Sequence, residues 1–409
     1  MAAAREQETV ELRWGTRLDR FRDEGSTVEA TMHSAAGDTK TIRARWLVGC
    51  DGGGSWVRQL LGIEFGGSTF RQRWLVVDVR LDRPLAKVGH PHFFGDWRRP
   101  IVCLPMSPGR HRWEWMLHPG EDAEPFLDPK AIDERIRPWL RDETATVERA
   151  VVYTFHRRTA SRWREGRVLL AGDAAHLMPP FAGQGFSSGA RDAANLAWKL
   201  EAVVDGAPEA LLDSYEAERR PHVRAMGRLA GALGRFVQTT DRRVAVARDL
   251  FLGALEVTGI ADWAQQRVKP LPAYGDGAFA ERPARLVFRR GVGSQFPQPT
   301  VLVGSIGEEV PFDELAGPGW SAVTVSQDVA DLFAAEGIRT LVLGDDFQDG
   351  SWAVARWLAN HEADWVLLRP DRFVFALGDH GPASAQSALA ELRRHVGCAL
   401  RAPEALVAA

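Results

Sequence analysis

A carboxylate at the end of an apolar run and a glycine-rich turn after it are the residues best placed to do chemistry. The apolar run over residues 168–171 stops at Gly172 and Asp173, and ligands of open α/β sheets bind beyond the carboxyl ends of strands. Gly183, Gln184 and Gly185 then open a helical segment. Backbone N–H groups in its first turn have no partner within the helix, and they suit an anionic or electron-accepting ring.

A buried strand and a long helix must position these residues. The run over 168–171 is apolar throughout, as expected for a strand of a parallel sheet that is covered on both faces. The helix is predicted because apolar residues recur at helical spacing along one face: Phe186, Ala190, Ala193, Ala194, Ala197, Leu200 and Val204.

The segment GRVLLAGDAAHLMPPFAGQGFSSGARDAANLAWKL closely resembles the second FAD-binding motif of the single-component flavoprotein aromatic hydroxylases. The resemblance implies that Asp173 holds a ribityl hydroxyl and that residues 179–186 lie against the pyrimidine edge of the flavin. The cofactor-binding residues it implies here are Gly172, Asp173, Pro179, Gly183, Gln184, Gly185 and Phe186. His176 is the catalytic candidate in this turn, and a hydrogen-bonded packing role is the alternative.

A second segment, WLVGCDGGGSWVRQLLGI, resembles the Asp-Gly motif of the same hydroxylases. The resemblance implies that Asp51, Gly52 and Arg58 contact FAD and that this segment also assists the pyridine nucleotide. Read without the resemblance, the pattern indicates a glycine-rich turn between a strand and a helix with an exposed acid.

The sequence departs from the family at its start. These hydroxylases begin with a βαβ unit whose GxGxxG sequence binds the ADP half of FAD, and no such sequence precedes residue 50. We therefore expect an incomplete FAD-binding domain that lacks its first βαβ unit. The alternative hypothesis is a non-catalytic remnant that acts as a binding or assembly protein.

The expected fold class is α/β, with a para-hydroxybenzoate hydroxylase-like FAD-binding domain in two pieces, residues 1–64 and 159–270. Residues 65–158 are expected to form an inserted antiparallel sheet that binds the substrate. Residues 286–409 resemble the thioredoxin-like C-terminal domain of one branch of the family, with a hairpin that turns at Arg369-Pro370-Asp371. Without a CxxC sequence this domain cannot perform dithiol chemistry, so it is expected to cover the hydroxylase or to form homodimer contacts.

The resemblance is strongest to the branch that hydroxylates 3-(3-hydroxyphenyl)propionate. It implies ortho-hydroxylation of a phenolic aromatic acid with FAD as cofactor, NAD(P)H as co-substrate and O₂. Arg99 and Arg112 are candidates to pair with a substrate carboxylate, although solvated arginines at a sheet edge are the simpler interpretation. Hydroxylation of a polyketide or of another phenol is the second alternative, because those enzymes share the architecture.

Composition limits the remaining function classes. The 409-residue chain has a net charge of −3, which gives no reason to expect a nucleic-acid partner. Its cysteines Cys50, Cys103 and Cys398 are far apart, so the sequence predicts neither a disulfide framework nor a metal site. No apolar run is long enough to span a membrane and the first ten residues contain no apolar signal core. The expectation is a cytoplasmic protein without a membrane partner.

Overall fold

The computed structural model describes residues 9–83, 85, 89–107, 109–140, 143–258, 272–280, 291–304, 307–379 and 381–397. The domain borders expected at residues 270 and 286 lie outside the described residues. Helices and mixed sheets make this an α/β fold. Within those ranges, none of the helices combines the length and the apolar character needed to cross a bilayer.

The first elements are β1 (Thr16–Asp23), β2 (Val28–Ser34), β3 (Thr39–Ala44), β4 (Leu47–Gly49) and α1 (Trp56–Leu60). The elements that follow are β5 (Phe65–Leu81), β6 (His92–Phe94), β7 (Ile101–Pro105), β8 (Arg110–Leu117), α2 (Glu124–Leu127), α3 (Pro129–Leu140) and β9 (Ala145–Ala160). The next are β10 (Arg164–Glu165), β11 (Val168–Leu170), β12 (His176–Leu177), α4 (Gly185–Val204), α5 (Asp213–Val237) and α6 (Arg242–Val257).

Strand β11 confirms the prediction made from its apolar run. Its three residues are completely buried, and it pairs in parallel with β4 and antiparallel with β10. Strands β1, β2 and β3 form a separate antiparallel meander. The parallel pairing sets Leu170 opposite Gly49, so the two strands end at the same edge of their sheet.

A six-stranded antiparallel sheet has the strand order β12-β9-β5-β8-β7-β6. Strands β5 to β9 lie in sequence between β4 and β11, and β12 follows β11. Because side chains alternate along a strand, β8 buries Trp113 and Trp115 on one face, against Ile132 and Ile136 of α3. Its other face carries Met116, which packs with residues of the turn that precedes α4. The sheet therefore joins the site region to the helical cover on its far side.

The C-terminal elements are β13 (Thr300–Val303), β14 (Glu308–Pro311), α7 (Phe312–Ala316), β15 (Ser321–Thr324), α8 (Gln327–Ala334), β16 (Arg339–Val342), α9 (Ala353–Asn360), β17 (Trp365–Leu368), β18 (Val374–Gly378) and α10 (Pro382–Val396). Strands β16, β15, β17 and β18 form a mixed sheet in that order. Strands β17 and β18 are antiparallel neighbours, which confirms the predicted hairpin. Trp198 of α4 shares a core cluster with Leu367 and Phe375 of this sheet, so α4 packs directly against it.

Candidate functional site

The two glycine-rich segments meet at the carboxyl edge of the β4–β11 pair. Asp51 and Gly52 follow β4, and Gly172 and Asp173 follow β11. In an open α/β sheet this edge is where ligands bind. The fold therefore brings the two predicted cofactor motifs together.

Arg58 links the two motifs. Its Nη1 donates to the carbonyl of Ala174 at 2.7 Å and its Nη2 donates to the carbonyl of Gly53 at 2.8 Å. The side chain is buried, and its guanidinium lies 3.8 Å from the centre of the Phe65 ring. The guanidinium is held by these protein groups, so Arg58 fixes the backbone around the site.

Asp51 caps the short helix α1. Its Oδ2 accepts hydrogen bonds from the N–H groups of Trp56 at 2.6 Å and Val57 at 3.0 Å. Ser55 adds a further cap, because its hydroxyl accepts from the N–H of Arg58. The second carboxylate oxygen of Asp51 has no hydrogen bond to the described residues, so it is available to a ligand.

Asp173 is exposed and makes no hydrogen bond or ion pair with another described residue. It lies in a single 3-10 turn that starts at Gly172, whose φ of +59° is a conformation that glycine adopts without strain. The N–H of Gly172 donates to Asp192 at 3.0 Å, which anchors the turn. The protein thus holds the backbone under Asp173 and leaves its carboxylate free.

Helix α4 begins without a side-chain cap at Gln184. The first backbone hydrogen bond of the helix is from the N–H of Ser188 to the carbonyl of Gln184, so the preceding N–H groups have no partner within the helix. Gly183, with a φ of +61°, turns the chain into this helix after the buried Pro179. These orphan donors and the positive helix end point to the side where an electron-rich group would bind.

The donors and the free space at this edge fit an FAD. A Cβ atom built at Gly52, Gly54, Gly183 or Gly185 would meet nothing within 4 Å, so a ligand can approach the backbone at each of them. Asp173 offers an acceptor for a hydroxyl group, and the start of α4 offers donors for a carbonyl or an anionic nitrogen. The chemistry of these groups matches what a ribityl chain and a flavin ring require.

His176 is buried, with only 1% of its surface exposed. Its Nε2 lies 2.6 Å from Oδ2 of Asp192, and its ring lies against Trp163. Arg219 donates to the other oxygen of Asp192 at 2.8 Å. Burial opposes ionisation of Asp192, but the His176 hydrogen bond and the nearby charges hold the pKa of its carboxyl below the ordinary value. This environment fits the alternative given for His176, which is a hydrogen-bonded packing role.

The face of α4 that the sequence marks as apolar is exposed. Phe186 is 90% exposed and Val204 is 43% exposed. The buried face carries polar residues, which include Asp192, Asn195 and Lys199. The helix itself is confirmed, but its apolar periodicity does not identify the face that packs.

A network of buried charges holds the polar face of α4. Glu218 of α5 lies 3.0 Å from Lys199 Nζ and 2.8 Å from Arg369 Nη2. Asp371 pairs with Arg369 from the other side, and Asn195 donates to Glu218 at 2.6 Å. Sequence reasoning missed this network as a unit, although the spacing of Asp192, Asn195 and Lys199 places polar groups on one helical face.

The two arginines predicted for the substrate are both paired with carboxylates of the chain. Arg112 donates to Asp78 at 2.6 and 2.9 Å, and Arg99 donates to Glu121 at 2.8 and 2.6 Å. Arg99 also lies over the Phe126 ring, on the side of the sheet that α3 covers. Neither guanidinium is free for a carboxylate in this arrangement, and their role toward a substrate stays a prediction.

Residues 1–230 match the family model described as an FAD binding domain, and residues 342–395 match the one described as the HcaD C-terminal domain. The first match covers more than half of the chain. The chain belongs to this family of FAD-dependent monooxygenases. The resemblance seen in its two sequence motifs is therefore confirmed.

Similar proteins carry hydroxylase names. A 3-(3-hydroxy-phenyl)propionate/3-hydroxycinnamic acid hydroxylase of Mycobacterium sp. (strain KMS) is 39% identical over 396 residues, which are 89% of this chain and 67% of the relative. The hydroxylase of the same name from Mycolicibacterium gilvum (strain PYR-GCK) is 36% identical, over 96% of this chain and 73% of its own length. The chain thus spans about two thirds to three quarters of these relatives.

Solved structures of other proteins superpose on the fold of this chain. The OxyS anhydrotetracycline hydroxylase from Streptomyces rimosus superposes with a TM-score of 0.72 at 27% identity, covering 95% of this chain and 76% of its own. Aklavinone-11 hydroxylase, solved with FAD and aklavinone, gives a TM-score of 0.73 at 27% identity, covering 94% and 74%. Both are hydroxylases, which supports an aromatic FAD-dependent monooxygenase.

Proposed function

We propose that the chain hydroxylates a phenolic aromatic acid, such as 3-(3-hydroxyphenyl)propionate, at the ortho position with NAD(P)H and O₂. The observation that carries the proposal is the start of α4, where uncapped N–H groups face open space next to the free carboxylate of Asp173. The names of relatives that are 39% identical supply the substrate class.

In this proposal the cofactor lies along the carboxyl edge of β4 and β11. Asp173 holds a ribityl hydroxyl, and residues 183–186 donate to the electron-rich edge of the ring. Asp51 and Gly52 contact the cofactor, and Arg58 keeps their backbone in place through its bonds to Gly53 and Ala174. Bound FAD supplies the electron transfer and the activation of O₂. The protein supplies orientation, preorganised donors and the exclusion of water.

The inserted sheet, residues 65–158, is proposed to cover the substrate. Phe181 lies in the turn before α4 and packs against Trp74 at 6.0 Å and Phe155 at 5.7 Å between ring centres. These aromatic contacts join the sheet to the cofactor turn. An aromatic ring bound along this face would therefore be shielded from water on the sheet side, as the reaction requires. Of the two candidate arginines, Arg112 lies on the same face of β8 as Met116, which packs with Trp74 and Phe181.

The C-terminal sheet is proposed to be the thioredoxin-like domain of this branch, with a covering or dimer-forming role. Its hairpin turn enters the buried charge network, since Arg369 pairs with Glu218 of α5. This contact fixes the C-terminal sheet on the helix that follows the site. A rigid cover is what the proposed role needs.

The test is reconstitution of the full chain with FAD, followed by removal of free cofactor. The proposal predicts a yellow protein that oxidises NAD(P)H faster when 3-(3-hydroxyphenyl)propionate is present and forms an ortho-dihydroxy product in proportion. Product analysis separates hydroxylation from uncoupled release of peroxide. A chain that stays colourless in excess FAD would instead support the non-catalytic remnant.

Hydroxylation of a polyketide phenol is the second candidate. It is favoured by the likeness to the anhydrotetracycline and aklavinone hydroxylases at 27% identity. The same assay with a multi-ring phenol in place of the phenylpropionate distinguishes the two. Faster NAD(P)H oxidation with the larger phenol would favour the second candidate.

A further inference from the structure

A cavity of about 480 Å³ lies beside the site, between α5 and the strand ends of the inserted sheet. One wall is formed by Arg220, Arg224 and Arg228 of α5, and the opposite wall includes Arg157 of β9. Glu64 is the acidic residue among those that line it. The volume is in the range of small-molecule sites.

The arginines on α5 repeat at intervals of four residues, so they lie on one face of the helix. Like charges at this spacing repel each other and destabilise the helix. Within the described part of the chain, the side chains of Arg157, Arg224 and Arg228 have no hydrogen-bond or ion-pair partner. Stability of the helix therefore does not account for this row of cations.

Arg220 has one partner and one unused donor. Its Nη1 bonds to Oε1 of Glu216 at 2.5 Å, while its Nε is buried and has no hydrogen-bond partner. A buried donor without a partner destabilises the folded protein.

Helix α5 is shaped to admit Arg157. A Cβ atom at Gly227 would lie 3.4 Å from Cγ of Arg157, and one at Gly231 would lie 3.7 Å from its Nη1. Glycine inside a helix is destabilising relative to alanine. The two glycines let the Arg157 side chain lie close along the helix.

We propose that this cavity binds the phosphate groups of a small molecule. Guanidinium groups match phosphate oxygens in pairs of parallel hydrogen bonds. Three unpaired arginines facing one cavity fit a group with two or more negative charges better than a single carboxylate. Two sources carry this chemistry: a pyridine dinucleotide, or a separate phosphate or phosphorylated metabolite. The inference goes beyond the proposed hydroxylation and does not depend on flavin binding.

The test is calorimetric titration of inorganic pyrophosphate into the full chain, with Arg224→Gln/Arg228→Gln as the variant. Both side chains are exposed, so the variant should keep its fold, which circular dichroism verifies. We expect its Kd to be at least about tenfold weaker, because two charge-assisted contacts are lost. Arg235→Gln is the matched control, since Arg235 lies on the same helix, is exposed and does not line the cavity. Its Kd should equal that of the wild type.

Further titrations identify the source. NADPH and NADH are each tested for displacement of pyrophosphate, and inorganic phosphate is titrated alone. Displacement by a dinucleotide assigns the cavity to the co-substrate, whereas binding of the inorganic anions alone assigns it to a separate ligand. The proposal is overturned if none of these probes binds, or if binding is equal in wild type, Arg224→Gln/Arg228→Gln and Arg157→Gln. Failure of hydroxylation leaves these binding results unaffected.

Discussion

Arg58 donates a hydrogen bond of 2.7 Å from Nη1 to the carbonyl oxygen of Ala174, 116 residues further along the chain. A second bond, from Nη2 to Gly53, completes a bridge between the two segments that resemble flavin motifs. Each segment is identified from its own residues, and this side chain sets the distance between them. The bridge is the structural basis for treating the two segments as one site.

Replacement of Arg58 by alanine should destabilise the protein by about 2 kcal/mol or more. The change leaves two carbonyl groups without their donor in a mostly buried setting and removes the guanidinium from the Phe65 ring. Denaturant unfolding of the two proteins measures the effect. Arg43→Ala is the control, because Arg43 is 66% exposed and its pair with Glu29 is worth little. Equal losses in the two variants would contradict the bridging role.

Asp173→Asn should weaken FAD binding by about tenfold or more without lowering the thermal midpoint of the FAD-free protein. The carboxylate is exposed and unpaired in the described structure, so the change removes its charge and one of its two acceptor oxygens but no contact within the protein. Flavin fluorescence quenching gives the Kd. Asp205→Asn, an exposed acid at the other end of α4, should bind FAD as the wild type does. Unchanged affinity in Asp173→Asn would refute the role assigned to this carboxylate.

His176→Gln should lower the thermal midpoint and leave the pH profile of kcat unchanged. The imidazole is buried against Trp163 and bonded to Asp192, so its replacement disturbs packing and the charge pair with Arg219. A group that transfers a proton to the substrate would instead shift or abolish one limb of the profile. Such a shift would support a catalytic role for His176.

Glu218→Gln should cost about 3 kcal/mol or more of stability. The change leaves Lys199 and Arg369 buried with less compensating charge, and removal of one partner from a buried ion pair is strongly destabilising. The thermal midpoint reports the loss. The control is Glu209→Gln, whose side chain is 48% exposed beside Arg167. A loss no larger than that of the control would show that the network contributes little.

The Glu218 carboxylate should also make the stability of the protein sensitive to acid. Burial opposes its ionisation, but Arg369 and Lys199 lower the pKa of Glu218 to about 2 from an ordinary 4.5. Between those values the unfolded chain binds a proton that the native protein does not. The stabilising contribution is therefore present above pH 4.5 and is lost as the pH falls toward 2. The Glu218→Gln variant should show a smaller loss of thermal midpoint over this range.

Glu114 should have the opposite effect on stability. Burial raises the pKa of its carboxyl to about 7, although Arg112 acts against the shift. Between pH 4.5 and 7 the native protein keeps a proton that the unfolded chain releases, so this group makes stability fall as the pH rises. The thermal midpoint of Glu114→Gln, measured relative to that of the wild type, should therefore be higher at pH 8 than at pH 5. An identical difference at both pH values would contradict this assignment.

The sequence determined the local structure of the site. A short apolar run, Gly172-Asp173 and a glycine-rich turn specify a strand, a bend and a helix, because these depend on nearest neighbours and backbone conformation. The hairpin at residues 369–371 followed for the same reason. The family could also be identified at this level, since its motifs are contiguous in sequence.

Only the tertiary structure decided which face of α4 is buried. Its apolar periodicity favours the face that begins at Phe186, yet that side chain is 90% exposed. Asp192 and Lys199 are buried instead, because each pairs with a residue of another helix: Asp192 with Arg219, and Lys199 with Glu218. Glu218 also pairs with Arg369 of a distant hairpin. A buried charge is tolerable only when it is paired, and pairing across such separations is not visible in local periodicity. The sequence did not predict these buried ion pairs because the partners are far apart along the chain, although their residue types are visible.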